Sequence, residues 1–162
     1  NIWDYMHKLY CGPIGIEYTH SNNTLIRRWV RDKFEREARH INYPLEKLDT
    51  LIFNESEGFG LSSGGKDKTK ILKYLSKKYP STKLLLTLGK KGSVYSYNNK
   101  VIEIPANKVN SIDTTAAGDT YIGYFISSYY KNNKVKESME IASKAASIST
   151  TKMGGAISIP KL

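Results

Sequence analysis

From Leu48 onward, short apolar runs alternate with amphipathic stretches. Leu48-Asp49-Thr50-Leu51-Ile52-Phe53 is apolar enough for a buried strand of a parallel sheet and ends at Asn54. Lys68–Lys78 spaces Ile71, Leu72 and Leu75 along one face of a helix, with lysines on the other faces and Pro80 as a stop. Lys83–Leu88, centred on Leu84-Leu85-Leu86, predicts a second core strand. Ser93–Tyr97 and Lys100–Ile104 predict a hairpin across Asn98-Asn99. Helices are expected over Thr120–Tyr130 and over Val135–Thr151, the latter rich in Ala142, Ser143, Ala145, Ala146 and Ser147. Strands alternating with helices predict an α/β, Rossmann-like layered fold for residues 48–162.

The first forty residues differ in kind. All five arginines, both tryptophans, all three histidines and Cys11 lie there. The shift predicts a boundary near residues 37–47, with a mainly helical segment of different origin over 1–47 and the α/β region over 48–162. A helix is expected to begin within Asn1–Leu9, and Cys11-Gly12-Pro13-Ile14-Gly15 reads as a break. Thr24–Glu37 has helical spacing, with Leu25, Trp29 and Phe34 inside and a cap from Ser21, Asn22 or Asn23.

Composition narrows the function classes. A chain of 162 residues with 40% hydrophobic content suits one globular domain with a core, and no stretch is long and apolar enough to span a membrane. A lone cysteine excludes an internal disulfide framework, so a reducing cytoplasm is expected. The net charge of +10 raises a nucleic-acid reading, which its distribution weakens. From residue 51 there are 17 Lys and no Arg against 8 acidic residues, scattered along the chain, whereas base recognition leans on Arg. Neither a nucleic acid nor a membrane is expected as a partner.

Candidate chemistry centres on Asp113-Thr114-Thr115-Ala116-Ala117-Gly118-Asp119, read as a loop turning into a helix N-terminus. Small residues let backbone N–H groups approach an anion, which the helix dipole also favours. A carboxylate at Asp119, beside that anion, is suited to take a proton from a hydroxyl attacking a phosphate. The alternative is an ordinary cap, with Asp119 or Thr120 starting the helix. Asn54 and Glu57 fall at the C-terminal end of a strand, where open α/β sheets place ligands; a turn with a helix-starting glutamate is the alternative. Thr87-x-Gly89-x-x-Gly92 allows close backbone approach to a ligand, or simply makes a tight turn. Leu61-Ser62-Ser63-Gly64-Gly65 reads as a loop without Walker A spacing.

Asp113-Thr114-Thr115-Ala116-Ala117-Gly118-Asp119-Thr120 resembles the signature of the ribokinase (PfkB) family of carbohydrate kinases. Asn54-Glu55-Ser56-Glu57, Thr87-Leu88-Gly89-Lys90-Lys91-Gly92-Ser93 and Gly154-Gly155 leading to Pro160 resemble further landmarks of the family, in the same order. The resemblance covers about residues 48–162 and implies the C-terminal half of a ribokinase-type fold that phosphorylates a sugar with ATP. It implies that Asp119 is the catalytic base and that Ala116, Ala117 and Gly118 form an anion hole. Asn54 and Glu57 would act near Mg²⁺ and the phosphates, largely through water, and Thr87, Gly89 and Gly92 would meet the nucleotide. Asp113, Thr115, Ser149, Lys152, Gly154 and Ser158 match positions that hold a monovalent cation such as K⁺. The small residues of the last helix suit packing against a sheet or a bound adenine.

The family's sugar-binding half has no counterpart here, so a dimer or a complementary chain is expected to supply it. A nucleotide-binding remnant without kinase activity is the alternative. Tyr10-Cys11-Gly12-Pro13-Ile14-Gly15-Ile16-Glu17-Tyr18-Thr19-His20 and Arg28–Glu35 separately resemble the E1 subunit of 2-oxoglutarate dehydrogenase, over about residues 1–37. That resemblance implies an assembly segment.

Overall fold

The computed structural model describes residues 45–62 and 67–161, all within the compact unit His40–Leu162. The helices and break expected in residues 1–44, and Ser63–Gly65 of the expected loop, lie outside the described residues.

Four strands form one mixed sheet in the order β1-β2-β3-β4: β1 is Thr50–Asn54, β2 Lys83–Thr87, β3 Ser93–Tyr97 and β4 Lys100–Ile104. β1 and β2 are parallel, with Ile52 beside Leu85, and two helices make the crossover: α1, Glu55–Leu61, and α2, Lys68–Lys78. β3 runs antiparallel to both β2 and β4. Asn98 and Asn99 join the hairpin with φ of 47° and 62°, the left-handed pair that matches the twist of two-residue hairpins.

Side chains alternate across a strand, so the Leu84-Leu85-Leu86 run feeds two cores at once. Leu84 and Leu86 pack with Phe53, Ile71, Leu72, Leu75 and Val94 under α2. Leu85 packs with Tyr95, Ile104, Phe125, Met139 and Ala142 on the opposite face. All three leucines are fully buried because both faces of β2 are covered. Each such side chain contributes roughly 1.5–3 kcal/mol of burial. β1 is parallel as expected but not buried along its length: only Phe53 is, because β1 is an edge strand among the described residues.

The bounds of α2 are those read from the sequence, and Asp67 starts it by accepting from the N–H groups of Thr69 and Lys70, both at 2.9 Å. α1 had only its first residues foreseen. Asn54 Oδ1 accepts from Glu57 N–H at 2.9 Å while Glu57 Oε2 accepts from Asn54 N–H at 2.8 Å, a reciprocal capping box. A Cβ at Gly58 would come within 2.9 Å of Ile71 and 3.0 Å of the Phe53 ring, so a glycine lets α1 lie close to β1 and α2.

Two further helices pack side by side, α3 at Ala117–Asn132 and α4 at Val135–Ser149. α3 begins three residues before the expected Thr120, and α4 ends two residues before the expected Thr151. Asn133, at φ 54°, ends α3 in the left-handed conformation. No helix among the described residues is long and apolar enough to cross a membrane.

Candidate functional site

A cavity of about 340 Å³ opens where β2, α3 and α4 meet. Thr87, Gly89, Lys90 and Gly92 form one wall, Thr114, Ala117, Gly118 and Tyr121 a second, and Ser143, Ala146, Ser147 and Thr150 of the α4 region a third. Asn107 and Ser111 of the loop after β4 complete it. Thr87, Gly89, Gly92, Ala117 and Gly118 are thus brought together as the sequence predicts.

The glycines of the first wall serve different ends. After Thr87 the chain makes a 3-10 turn over Gly89–Lys91, closed by Leu88 N–H to Gly92 O at 2.8 Å and Gly92 N–H to Gly89 O at 3.0 Å. Gly92 has φ +100°, and a Cβ there would sit 2.0 Å from the Ile104 carbonyl oxygen. That glycine is required by the backbone crossing of β4's end. Gly89, at φ +55°, faces open space at the cavity wall.

At the second wall, α3 starts without a side-chain cap. Ala116 is the N-cap residue and is buried, so neither Asp119 nor Thr120 caps the helix, and the alternative reading of that loop is corrected. Ala117 N–H turns back to Thr114 O at 3.2 Å, and Thr120 N–H reaches Ala116 O at 2.9 Å. Gly118 N–H, between them, has no acceptor among the described residues. Of the expected anion hole, Ala117 N–H is engaged, while the N–H groups of Ala116 and Gly118 have no acceptor among the described residues, beside the exposed Asp119 in the first turn. Tyr121 hydroxyl lies 2.7 Å from Ser93 Oγ, and burial pushes its phenol up to about 12, so it stays protonated at neutral pH.

Asp113 ties the loop before α3 to the far end of the chain. Its Oδ1 accepts from Thr115 N–H at 2.9 Å and Thr115 Oγ1–H at 2.5 Å, and its Oδ2 accepts from Gly154 N–H at 3.0 Å. These donors hold its carboxyl below the usual carboxylate value, the Thr115 hydroxyl foremost. Ile112 and Asp113 N–H groups both reach the Thr150 carbonyl, at 2.7 and 3.1 Å. Of the residues expected at a cation, Asp113, Thr115 and Gly154 meet. The Ser149 and Ser158 hydroxyls turn to nearby carbonyls, of Ala146 at 2.8 Å and Gly155 at 2.7 Å, and Lys152 is exposed. What brings Asp113, Thr115 and Gly154 together is a set of donors aimed at the Asp113 carboxylate: one hydroxyl and two backbone N–H groups.

Asn54 and Glu57 do not line the cavity, and their mutual capping bonds occupy one oxygen of each side chain. The sequence reading missed Asn107, Ser111, Thr114 and Tyr121 as cavity residues. It had noted the small residues of α4, and the structure divides them: Ala142 and Ala145 are buried, Ala142 within the Leu85 core, while Ser143, Ala146 and Ser147 line the cavity.

The sequence profile of the pfkB family carbohydrate kinases matches residues 16–162. The chain belongs to this family. A ribokinase of Staphylococcus aureus is 36% identical over 125 residues, covering 75% of this chain and 41% of the relative. A ribokinase of Dictyostelium discoideum is 37% identical over 132 residues, covering 70% of this chain and 42% of the relative. Among solved structures, the ribokinase of Thermotoga maritima matches with a TM-score of 0.63 at 32% identity, over 72% of this chain and 40% of that one. The ribokinase of Arabidopsis thaliana complexed with ribose and ATP matches with a TM-score of 0.66 at 27% identity, over 72% of this chain and 39% of that one. The fold is thus of ribokinase type, and the chain spans about two fifths of the length of these relatives. The pfkB match begins inside residues 1–37, and the resemblance of that segment to 2-oxoglutarate dehydrogenase E1 finds no support among these relatives.

Proposed function

We propose that this chain carries the nucleotide-handling and phosphoryl-transfer half of an ATP-dependent sugar kinase. The observation that carries the reading is the uncapped start of α3, where Gly118 N–H has no acceptor among the described residues, next to Asp119 and a cavity walled by Thr87, Gly89 and Gly92. A phosphate at this helix end gains from the open donor and the helix dipole. Asp119 then accepts the proton of the attacking sugar hydroxyl, and the remaining catalysis is positioning and charge neutralisation. Ribokinase relatives, one of them complexed with ribose and ATP, support a sugar as acceptor and ATP as donor.

Mg²⁺ would neutralise the phosphates near Asn54 and Glu57, held largely through water because this ion keeps several of its own. K⁺ would sit by Asp113, Thr115 and Gly154, with Ser149, Lys152 and Ser158 contributing from the matching positions. A dimer or a complementary chain would bring the sugar-binding half, in a cytoplasmic setting that suits a single cysteine. The alternative is a remnant that binds nucleotide without turnover.

The test is Asp119→Asn in an enzyme that pairs this chain with a sugar-binding half, with turnover and ATP affinity measured together. Asparagine keeps the shape but cannot take the proton, so turnover should fall by about two to four orders of magnitude while ATP affinity holds. Near-parental turnover would reduce Asp119 to a helix residue and end this assignment. ATP binding without product in the parent itself would favour the remnant.

A further inference from the structure

The first turn of α3 has no side-chain cap to hold it, since Ala116 offers no side-chain oxygen at the helix start. Two hydroxyls follow Asp119 at once in the chain, and the structure treats them differently. Thr120 Oγ1 is buried, with no hydrogen-bond partner among the described residues. Tyr121, 6% exposed, carries its hydroxyl across to Ser93 Oγ, 2% exposed, at 2.7 Å.

The two ends of that bond are anchored by different means. The Tyr121 ring packs with Leu85, Tyr95 and Phe125, which holds the side chain in the second core. Ser93 is paired in the sheet with Thr87 on one side and Ile104 on the other. It directly follows Gly92, whose backbone is pressed against the Ile104 carbonyl. The bond therefore runs from the glycine wall of the cavity to the uncapped start of the helix wall. Tyr121 lies one helical turn beyond Gly118, and both line the cavity. Either hydroxyl can donate, and the tie holds in both directions. Both groups are buried, so parting the walls would leave each of them unmet.

We infer that Tyr121 is a positioning residue: through Ser93 it sets the spacing between the Gly89–Gly92 turn and the first turn of α3, and with it the fit of a phosphate between the two walls. This rests on the nucleotide reading proposed above and deepens it. A phenylalanine at this position fills the same core space but leaves the helix start free to shift against the turn. The attraction of a helix end for an anion falls off within one turn, so a small shift weakens the hold on phosphate. The nucleoside part of the ligand does not share that dependence.

The experiment compares ADP with adenosine by calorimetric titration of the intact protein, alongside thermal unfolding. The variants are Tyr121→Phe, Ser93→Ala and the two combined. Each single change leaves one buried hydroxyl unmet and should lower Tm; the combined change removes both hydroxyls and should recover most of that loss. The ratio of ADP to adenosine affinity should fall by about five-fold in each single variant, the scale of one hydrogen bond. It should stay low in the combined variant, because the tie is absent in all three. A merely structural bond moves Tm and leaves the ratio at its parental value. A parental ratio in both single variants, or a ratio that recovers with Tm in the combined one, overturns the positioning role alone. Failure of a folded parent to bind ADP overturns the nucleotide reading with it.

Discussion

At the scale of single residues, two glycines of one turn separate a position with open space at the cavity from a structural one. Gly92 has no room for a side chain, since the Ile104 carbonyl would lie 2.0 Å from its Cβ. Gly89 has room and only an unfavourable backbone conformation. Gly89→Ala should cost about 1–2 kcal/mol from the left-handed φ alone. Gly92→Ala should cost clearly more, because backbone must move, and thermal or urea unfolding of the two variants checks the order. The spacing of these glycines was legible in the sequence; their different reasons were not, because the strand end that crowds Gly92 lies a dozen residues further along. Asn107 was illegible as a cavity residue for a similar reason: nothing local marks an asparagine that meets a serine 36 residues later.

At the scale of elements, the sequence spoke where periodicity and punctuation agreed. The α2 bounds follow from Ile71, Leu72 and Leu75 at helical spacing, an acidic cap at Asp67 and Pro80 beyond the end. The start of α3 was read late because Ala116, Ala117 and Gly118 give neither an apolar period nor a capping side chain. α1 was foreseen only as a helix start at glutamate, not over its length, because seven residues with Gly58 and Gly60 among them carry almost no propensity signal. It persists through its capping box and through Gly58 against Ile71 and Phe53. Asn54→Ala should therefore cost about 1 kcal/mol. Glu57→Gln keeps a cap-competent side chain and should leave stability nearly unchanged. If Glu57 also acts near Mg²⁺, the same variant should raise the Mg²⁺ concentration needed for half-maximal turnover; no change in that requirement would leave Glu57 a capping residue only.

At the scale of the whole molecule, Asp113 is the staple between the loop before α3 and the C-terminal turn. Its folded-state pKa lies below the ordinary 3.8, so the stabilisation it gives is present above that value and is lost as pH falls through the folded one. Asp113→Asn should lower stability at neutral pH and flatten the acid limb of the stability–pH curve below about pH 4. Parallel acid limbs for parent and variant would remove Asp113 from the account. The sheet and both cores were legible as α/β from the apolar runs. That β1 would be a half-buried edge was not, because a strand's neighbours are set by parts of the fold remote from its own residues.

The Asn98-Asn99 turn also bears on the order in which the chain can assemble. β3 and β4 close over two residues, whereas the Phe53–Thr87 contact between β1 and β2 spans 34 and the Asp113–Gly154 tie spans 41. Closing a longer loop costs more chain entropy before any contact repays it, and a hairpin forms within microseconds. The wall that holds Gly92 should thus form ahead of the longer-range contacts of the site, an order that folding and unfolding rates of point variants would check. Mutations in the hairpin should slow folding, while those around Asp113 should act on unfolding.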